Sequence, residues 1–401
     1  KDNLEYTQRS ITNALLSGIH SSEDASWTTE WALSPTMSKI QDKDIRTTSF
    51  RVEDGVYSIP QNSQPKRIWR DLEEINAVAK LDFTKKYDFL EKDAKLKFGA
   101  YGSYKTRDFS ILNFEIENNG STTKFNGVAD NILLEENLWT VDNNSGSYID
   151  PDLSVAEPAN TYEADQQNIA GYVSNEFKLG QKLRTILGVR VEKFESKYTG
   201  EDNKDVNDPE KVIYDNETII DKFDLFPTAN LIYELTEDVN LRGSYSRTTA
   251  RPSFKEASIA KIFDPLSNNT FIGNINLDPT YINNFDFRVE WFGESAEMIA
   301  LSSFYKKFTD PIELTYFESS SDNFTPQNLG DADVIGLEFE LRKNLGFIAA
   351  PLQNFSLNVN TSIIKSTQVY SESERNLRTL GLRDGETLGN DRELQGQSPF
   401  L

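Results

Sequence analysis

The chain of 401 residues contains no cysteine, which excludes a disulfide framework, a thiolate metal site and a cysteine nucleophile. It has a single histidine, His20, too few imidazoles for a histidine-based catalytic centre or a zinc cluster. No apolar run approaches the roughly 18 residues of a transmembrane helix. The start, Lys1-Asp2-Asn3-Leu4, carries no apolar signal-peptide core. Positive charge is scarce: 42 Lys and Arg face 64 Asp and Glu, a net of −22. That excludes the basic stripe of a nucleic-acid binder. It does not exclude a membrane barrel, which keeps its charge in loops and lumen.

What is present is β-forming material. The chain has 25 Phe and 16 Tyr but only two Met, a balance that suits strands over helices. Apolar and polar residues alternate with period two, so successive side chains fall on opposite faces. Phe285, Phe287, Val289 and Trp291 share one face, and Asn284, Asp286, Arg288 and Glu290 the other. Ile335, Leu337, Phe339 and Leu341 likewise oppose Gly336, Glu338, Glu340 and Arg342. Ile75, Ala77, Ala79, Leu81 and Phe83 oppose Asn76, Val78, Lys80 and Asp82, and Trp27, Thr29, Trp31 and Leu33 oppose Thr28, Glu30, Ala32 and Ser34.

Connector length alternates too. Short connectors (178–182, 235–239, 292–297) and moderate ones (84–95, 343–354) separate long ones: 108–162, 199–222, 248–282, 309–333 and 366–392. This is the asymmetry of a bacterial outer-membrane barrel, with tight periplasmic turns and long extracellular loops. The fold expected is therefore all-β: a transmembrane, antiparallel, up-and-down barrel. About thirteen strands and the start of another are expected, each near the 9–11 residues of a tilted crossing. The first (Tyr6–Ile19) and the last (Phe355–Ile363) both run outward on this reading. An odd count cannot close such a barrel. Residues 1–401 are thus read as a partial barrel domain, with the two end strands apart. Tandem sandwiches or a propeller are the soluble alternatives, but no repeat of about 40–50 residues is found.

Residues 245–290 carry a resemblance. Tyr245-Ser246-Arg247 leads through Arg251-Pro252 to Gly273-Asn274-Ile275-Asn276-Leu277-Asp278-Pro279, and then to the strand Asn284–Glu290. Further pieces follow in order: Ser303–Lys307, Asp310–Glu313, Asn328–Gly330, Gly336–Glu338 and Arg392–Pro399, with Leu187–Glu192 upstream. This series resembles the barrel of TonB-dependent outer-membrane receptors, in a form typical of the Bacteroidota. The likeness runs well from about Tyr162 onward and more loosely before it. The turn carries one extra residue before Leu277, and neither a plug domain, a TonB box nor the last strands are found.

The resemblance implies a barrel of about 22 strands, with about four strands before Lys1 and five after Leu401. It implies an outer-membrane protein that takes up a scarce nutrient (siderophore, cobalamin, glycan or peptide) through a plugged pore. TonB with ExbB and ExbD, a plug domain, the lipid bilayer and a surface lipoprotein are the implied partners. No enzyme activity, cofactor, metal or nucleic acid is expected. The alternatives are a structural barrel subunit of a surface or secretion complex, and a soluble carbohydrate-binding protein.

Individual residues keep two readings. Arg251 is either a ligand contact at the outer rim or the partner of a lumen carboxylate, with Pro252 ending the ladder. The inward charges Arg190, Glu192, Arg242, Asp286, Arg288, Glu290, Glu338, Glu340 and Arg342 are a solute path or cross-strand charge ladders. Gly273-Asn274 reads as a turn needing positive φ. The acidic stretch Glu201–Asp208 hints at calcium but lacks the EF-hand glycine, and reads as a solvated loop. His20 reads as an exposed short-loop residue.

Overall fold

The computed structural model describes residues 1–60, 64–119, 125–142, 144–149, 157–205, 207–294, 297–317 and 320–398. Val206 of the acidic stretch and Pro399 of the last motif lie outside these residues. The wall begins with an interrupted strand, β1 (Asp2–Leu4), β2 (Thr7–Asn13) and β3 (Leu16–Ser21), all antiparallel to β4 (Trp27–Thr48). Beyond β4, β5 (Arg51–Glu53) and β6 (Val56–Ser58) form a small hairpin. The wall continues through β7 (Lys66–Phe89) and β8 (Lys92–Asn119), whose far end pairs with β9 (Gly146–Ile149). Next come β10 (Thr161–Leu179), β11 (Leu183–Glu201), β12 (Ile213–Glu234) and β13 (Val239–Ala250). The connector after β13 holds β14 (Lys261–Asp264) and β15 (Asn269–Ile272), followed by wall strands β16 (Thr280–Phe292) and β17 (Met298–Thr309). The next connector holds β18 (Ile312–Phe317) and β19 (Ser320–Asn328). Wall strands β20 (Ala332–Asn344) and β21 (Ser356–Val369), helix α1 (Glu372–Leu380) and β22 (Asp391–Arg392) complete the path.

With β1–β3 counted as one, the described residues form twelve wall strands and the start of a thirteenth, each paired antiparallel to its chain neighbour. No ladder among the described residues joins the first strand to β21 or β22. The expected count of about thirteen full strands is thus one too high. The direction of the first strand is also corrected. It meets β4 through the short turn 22–26, so it runs toward the short-turn end, whereas β21 runs toward the long-connector end as expected. The direction follows from the count, since twelve strands counted back from an outward β21 put the first one inward. The first strand is also interrupted opposite Pro35, which has no N–H to donate, between Asn13, paired with Thr36, and Leu16, paired with Leu33. His20 lies within β3, not in a loop, and its Nε2 accepts from Trp31 Nε1 at 3.1 Å.

Several strands exceed a bilayer crossing: β4 and β12 have 22 residues, β7 has 24 and β8 has 28. The stretch 84–95, expected as a connector, is a continuous hairpin with a two-residue turn at Leu90-Glu91. Its charged side chains imitate a loop, yet the ladder bonds need only backbone. Register keeps one face apolar across the wall. Leu241, Val289, Leu301 and Phe339 lie in one outward row, and Gly243, Phe287, Ser303 and Leu337 in the next. Phe285, Phe287, Ile335 and Leu337 are all exposed there, as lipid-facing residues must be. Toward the long connectors the band stops. On β7 the outward row passes from Ile75 to Glu73 and Asp71, which meet Lys39 and Gln41 of β4. Near the short turns the same face carries Trp27, Phe89, Phe177, Tyr233 and Trp291, an interfacial aromatic girdle.

Candidate functional site: the polar face and its roof

The other face of the wall is polar, and register places all nine predicted inward charges on it. They fall into two groups. In the first, Glu192 on β11 is almost wholly covered and meets both Arg190 and Arg251, each at 2.5 Å. Arg251 lies just past β13, its side chain 17% exposed, and its guanidinium also covers the Phe194 ring at 4.3 Å. In the second, Glu290 on β16 binds Arg242 of β13 and Arg288 of its own strand. Arg288 spans β17 to reach Glu340 of β20 at 2.9 Å, and Arg342 stands 3.8 Å from Glu340. Asp286 accepts from Ser244 at 3.0 Å, and Glu338 lies opposite Ser302 and Ser362. A carboxylate as covered as Glu290, 4% exposed, is tolerated because two guanidinium groups meet it.

Two further groups escaped the sequence reading. Glu74 on β7 binds Lys105 at 3.0 Å and Arg107 at 2.6 Å, both on β8. Asp82 pairs with Lys80 and accepts from the Tyr172 hydroxyl at 2.5 Å. Alternation put Lys80 and Asp82 on the polar face, but nothing local pointed to Tyr172, 90 residues away.

The long connectors close over one end of this face. β14, β15, β19 and β18 form a separate four-stranded sheet drawn from two connectors. Ile262 and Phe263 of β14 pack on Ile45, Ile68 and Ile111 of β4, β7 and β8. Phe254 joins Tyr162, Ala164, Tyr198 and Ala260 in a second core and faces the cations of Lys105 and Arg107. Arg70 donates to the Phe263 carbonyl at 3.0 Å, and Lys1 to that of Pro265 at 2.6 Å. The roof therefore crosses from β13–β17 to the first strands. Gly273 sits at its hinge, but not for the expected reason, since its φ is not among the positive ones. A Cβ there would collide with the Ser258 backbone, so close approach selects glycine. Beneath the roof lies a cavity of about 470 Å³ lined by Arg251, Glu256, Thr280, Glu313 and Gln395, among others. Glu313 is held by Arg392 at 2.6 Å, which also binds Glu374 of α1. Among the described residues, no group of three or more His, Cys, Asp or Glu is placed to hold a metal ion.

The family model "TonB dependent receptor-like, beta-barrel" matches residues 4–398. The chain belongs to the TonB-dependent receptor family. It is a bacterial outer-membrane protein with that family's antiparallel barrel fold, from a family of receptors and transporters that work with TonB. No curated protein matches it. Solved structures show the same fold at 12% identity. The unliganded ferric citrate transporter FecA aligns with a TM-score of 0.56 over 90% of this receptor chain and 43% of its own. The closed form of the ferric-catecholate import receptor Fiu from K12 E. coli gives 0.53 over 91% and 48%. The ferripyoverdine-bound receptor of Pseudomonas aeruginosa gives 0.52 over 92% and 44%. The receptor chain thus spans less than half the length of these proteins.

Proposed function

We propose that this chain is part of the wall of a plugged importer that takes up a scarce nutrient, driven by TonB with ExbB and ExbD. The observation that carries the reading is the combination of a charge-paired inner face with a roof of long connectors at one end. Fixed cross-strand pairs give a rigid polar lining against which a plug can seat and release. The roofed cavity, with Arg251 in its lining, is where ligand is first held. The long connectors face outside, in keeping with barrel asymmetry.

Within this reading the domain is a segment of a barrel of about 22 strands, because an unpaired strand edge in lipid costs several kcal/mol per polar group. Its edges then pair with strands outside the 401 residues. Siderophores, cobalamin, glycans and peptides remain the ligand classes. Ferric chelates come first for assay, because the ferric citrate and ferric-catecholate proteins share the fold. The test is uptake of labelled ligands by cells carrying or lacking the full-length gene. Energy-dependent uptake of one class, lost on deletion of the receptor or of TonB, supports the reading. Normal uptake of every class, with loss of a surface complex, would replace it by a structural barrel subunit.

A further inference from the structure

The connector 345–355 differs from the other short connectors. Those at 22–26, 180–182 and 235–238 carry charged residues, and Leu90-Glu91 is a bare turn. Residues 345–355, Leu-Gly-Phe-Ile-Ala-Ala-Pro-Leu-Gln-Asn-Phe, hold no charged residue at all. They are folded, as two 3-10 turns, Leu345–Phe347 and Ala350–Leu352. Asn344 fixes them by accepting from Gly346 N at 2.7 Å and donating to the Gln353 carbonyl at 2.5 Å, and Leu345 N donates to the Phe355 carbonyl at 2.8 Å. The result is a hydrogen-bonded loop with Phe347 69%, Ile348 61% and Phe355 60% exposed.

The placement of these side chains bears on what covers them. Phe355 continues the outward row Leu357, Val359, Thr361 and Ile363 of β21. Lys343 continues the outward row Phe339 and Leu341 of β20, and its ammonium lies 5.4 Å from the Phe347 ring. Lys343 also pairs with Glu297 in the neighbouring short connector. Elsewhere the aromatic girdle at this rim comes from the strands, at Trp27, Phe89, Tyr233 and Trp291. The outward ends of β20 and β21 are Leu341, Lys343 and Leu357, with no aromatic.

We infer that residues 345–355 form an interfacial anchor. Phe347, Ile348 and Phe355 enter the headgroup–acyl boundary of the leaflet at the short-turn rim, with the Lys343 ammonium, paired to Glu297, at the level of the headgroups. This interaction surface for lipid is continuous with the apolar band. Aromatic rings favour that depth, and a lysine stem can lie along apolar surface while its charge stays wet. The inference rests on membrane residence and not on transport, so failure of the uptake assay leaves it standing.

The test is the depth of a nitroxide on single-cysteine variants of the full-length receptor in phosphatidylethanolamine–phosphatidylglycerol vesicles. Ile348→Cys is compared with Asp238→Cys in a polar short turn and Phe287→Cys in the apolar band. The expected result for position 348 is access to a water-soluble nickel chelate several-fold below that at 238, with oxygen access between those at 238 and 287. Nickel access equal to that at 238 would place the loop in water and overturn the inference. Low access to both reagents would place it under protein and overturn it equally. Phe347→Cys gives the second, independent reading.

Discussion

At the residue scale, two glycines on the same wall have different physical roles. Gly336 lies opposite Phe304, whose ring occupies the space a Cβ would need. Gly102 faces open space on the outward side, where an added Cβ meets nothing. Gly336→Ala is expected to lower stability by about 1–3 kcal/mol through overpacking. Gly102→Ala is expected to be neutral or stabilising by about 0.5 kcal/mol, since alanine loses less backbone entropy. Urea titration of the receptor refolded into vesicles compares the two; equal effects would remove the role given to Phe304. The two faces of the sheet respond differently to charge. Phe287→Arg places a cation in the lipid band and is expected to cost about 2–4 kcal/mol near the midplane. Ser362→Arg adds a cation opposite Glu338 on the polar face, and should shift the midpoint little or raise it. Equal losses at both positions would mean that both faces are dry.

At the element scale, the β7–β8 hairpin turns through Leu90 and Glu91, both with positive φ, at 52° and 60°. A two-residue turn of this hand matches strand twist, but it normally uses Asn and Gly. Leu90→Asn with Glu91→Gly is therefore expected to stabilise the hairpin by about 1 kcal/mol, read from the same titration; destabilisation would show that the Leu90 side chain has a packing role. The roof has its own pH dependence. Asp264 closes the β14–β15 turn, and its carboxylate accepts from the Ser267 hydroxyl at 2.6 Å and from Leu266 N at 3.0 Å. The Ser267 hydroxyl, then the backbone N–H groups of Leu266 and Ser267, hold the Asp264 carboxyl below its ordinary value of 3.8. A carboxyl so lowered stabilises the turn at pH values above 3.8 and loses that contribution as pH falls through the lowered value. Protease cleavage in 265–268 should speed up in acid with the native sequence. With Ser267→Ala the increase should begin at higher pH; an unchanged profile would separate the turn from Asp264.

At the scale of the whole molecule, long connectors gather at one end and short ones at the other. Thiol labelling of intact cells should reach Asn207→Cys but not Gln181→Cys; the reverse would invert the wall. The covered carboxylates also link strands that are not neighbours, as Arg251 of the roof's root does with Glu192 of β11. Glu192→Gln removes the charge shared by Arg190 and Arg251 and should loosen the start of the roof.

Period-two alternation fixed which residues share a face, because in a strand that follows from backbone geometry alone. It placed Phe287 and Phe339 outward, and Glu290 and Arg288 together on the polar side. It misjudged the ends of strands where charge outside the bilayer imitated a loop, as at 84–95. Only the tertiary structure decided the partners of the charges. Glu192 holds Arg251, which is 59 residues distant, and Arg70 reaches the Phe263 carbonyl across 193 residues. Such pairs depend on how connectors fold back over the wall, which is set by long-range burial of residues such as Phe254 and Ile262 and leaves no periodic signal in the chain.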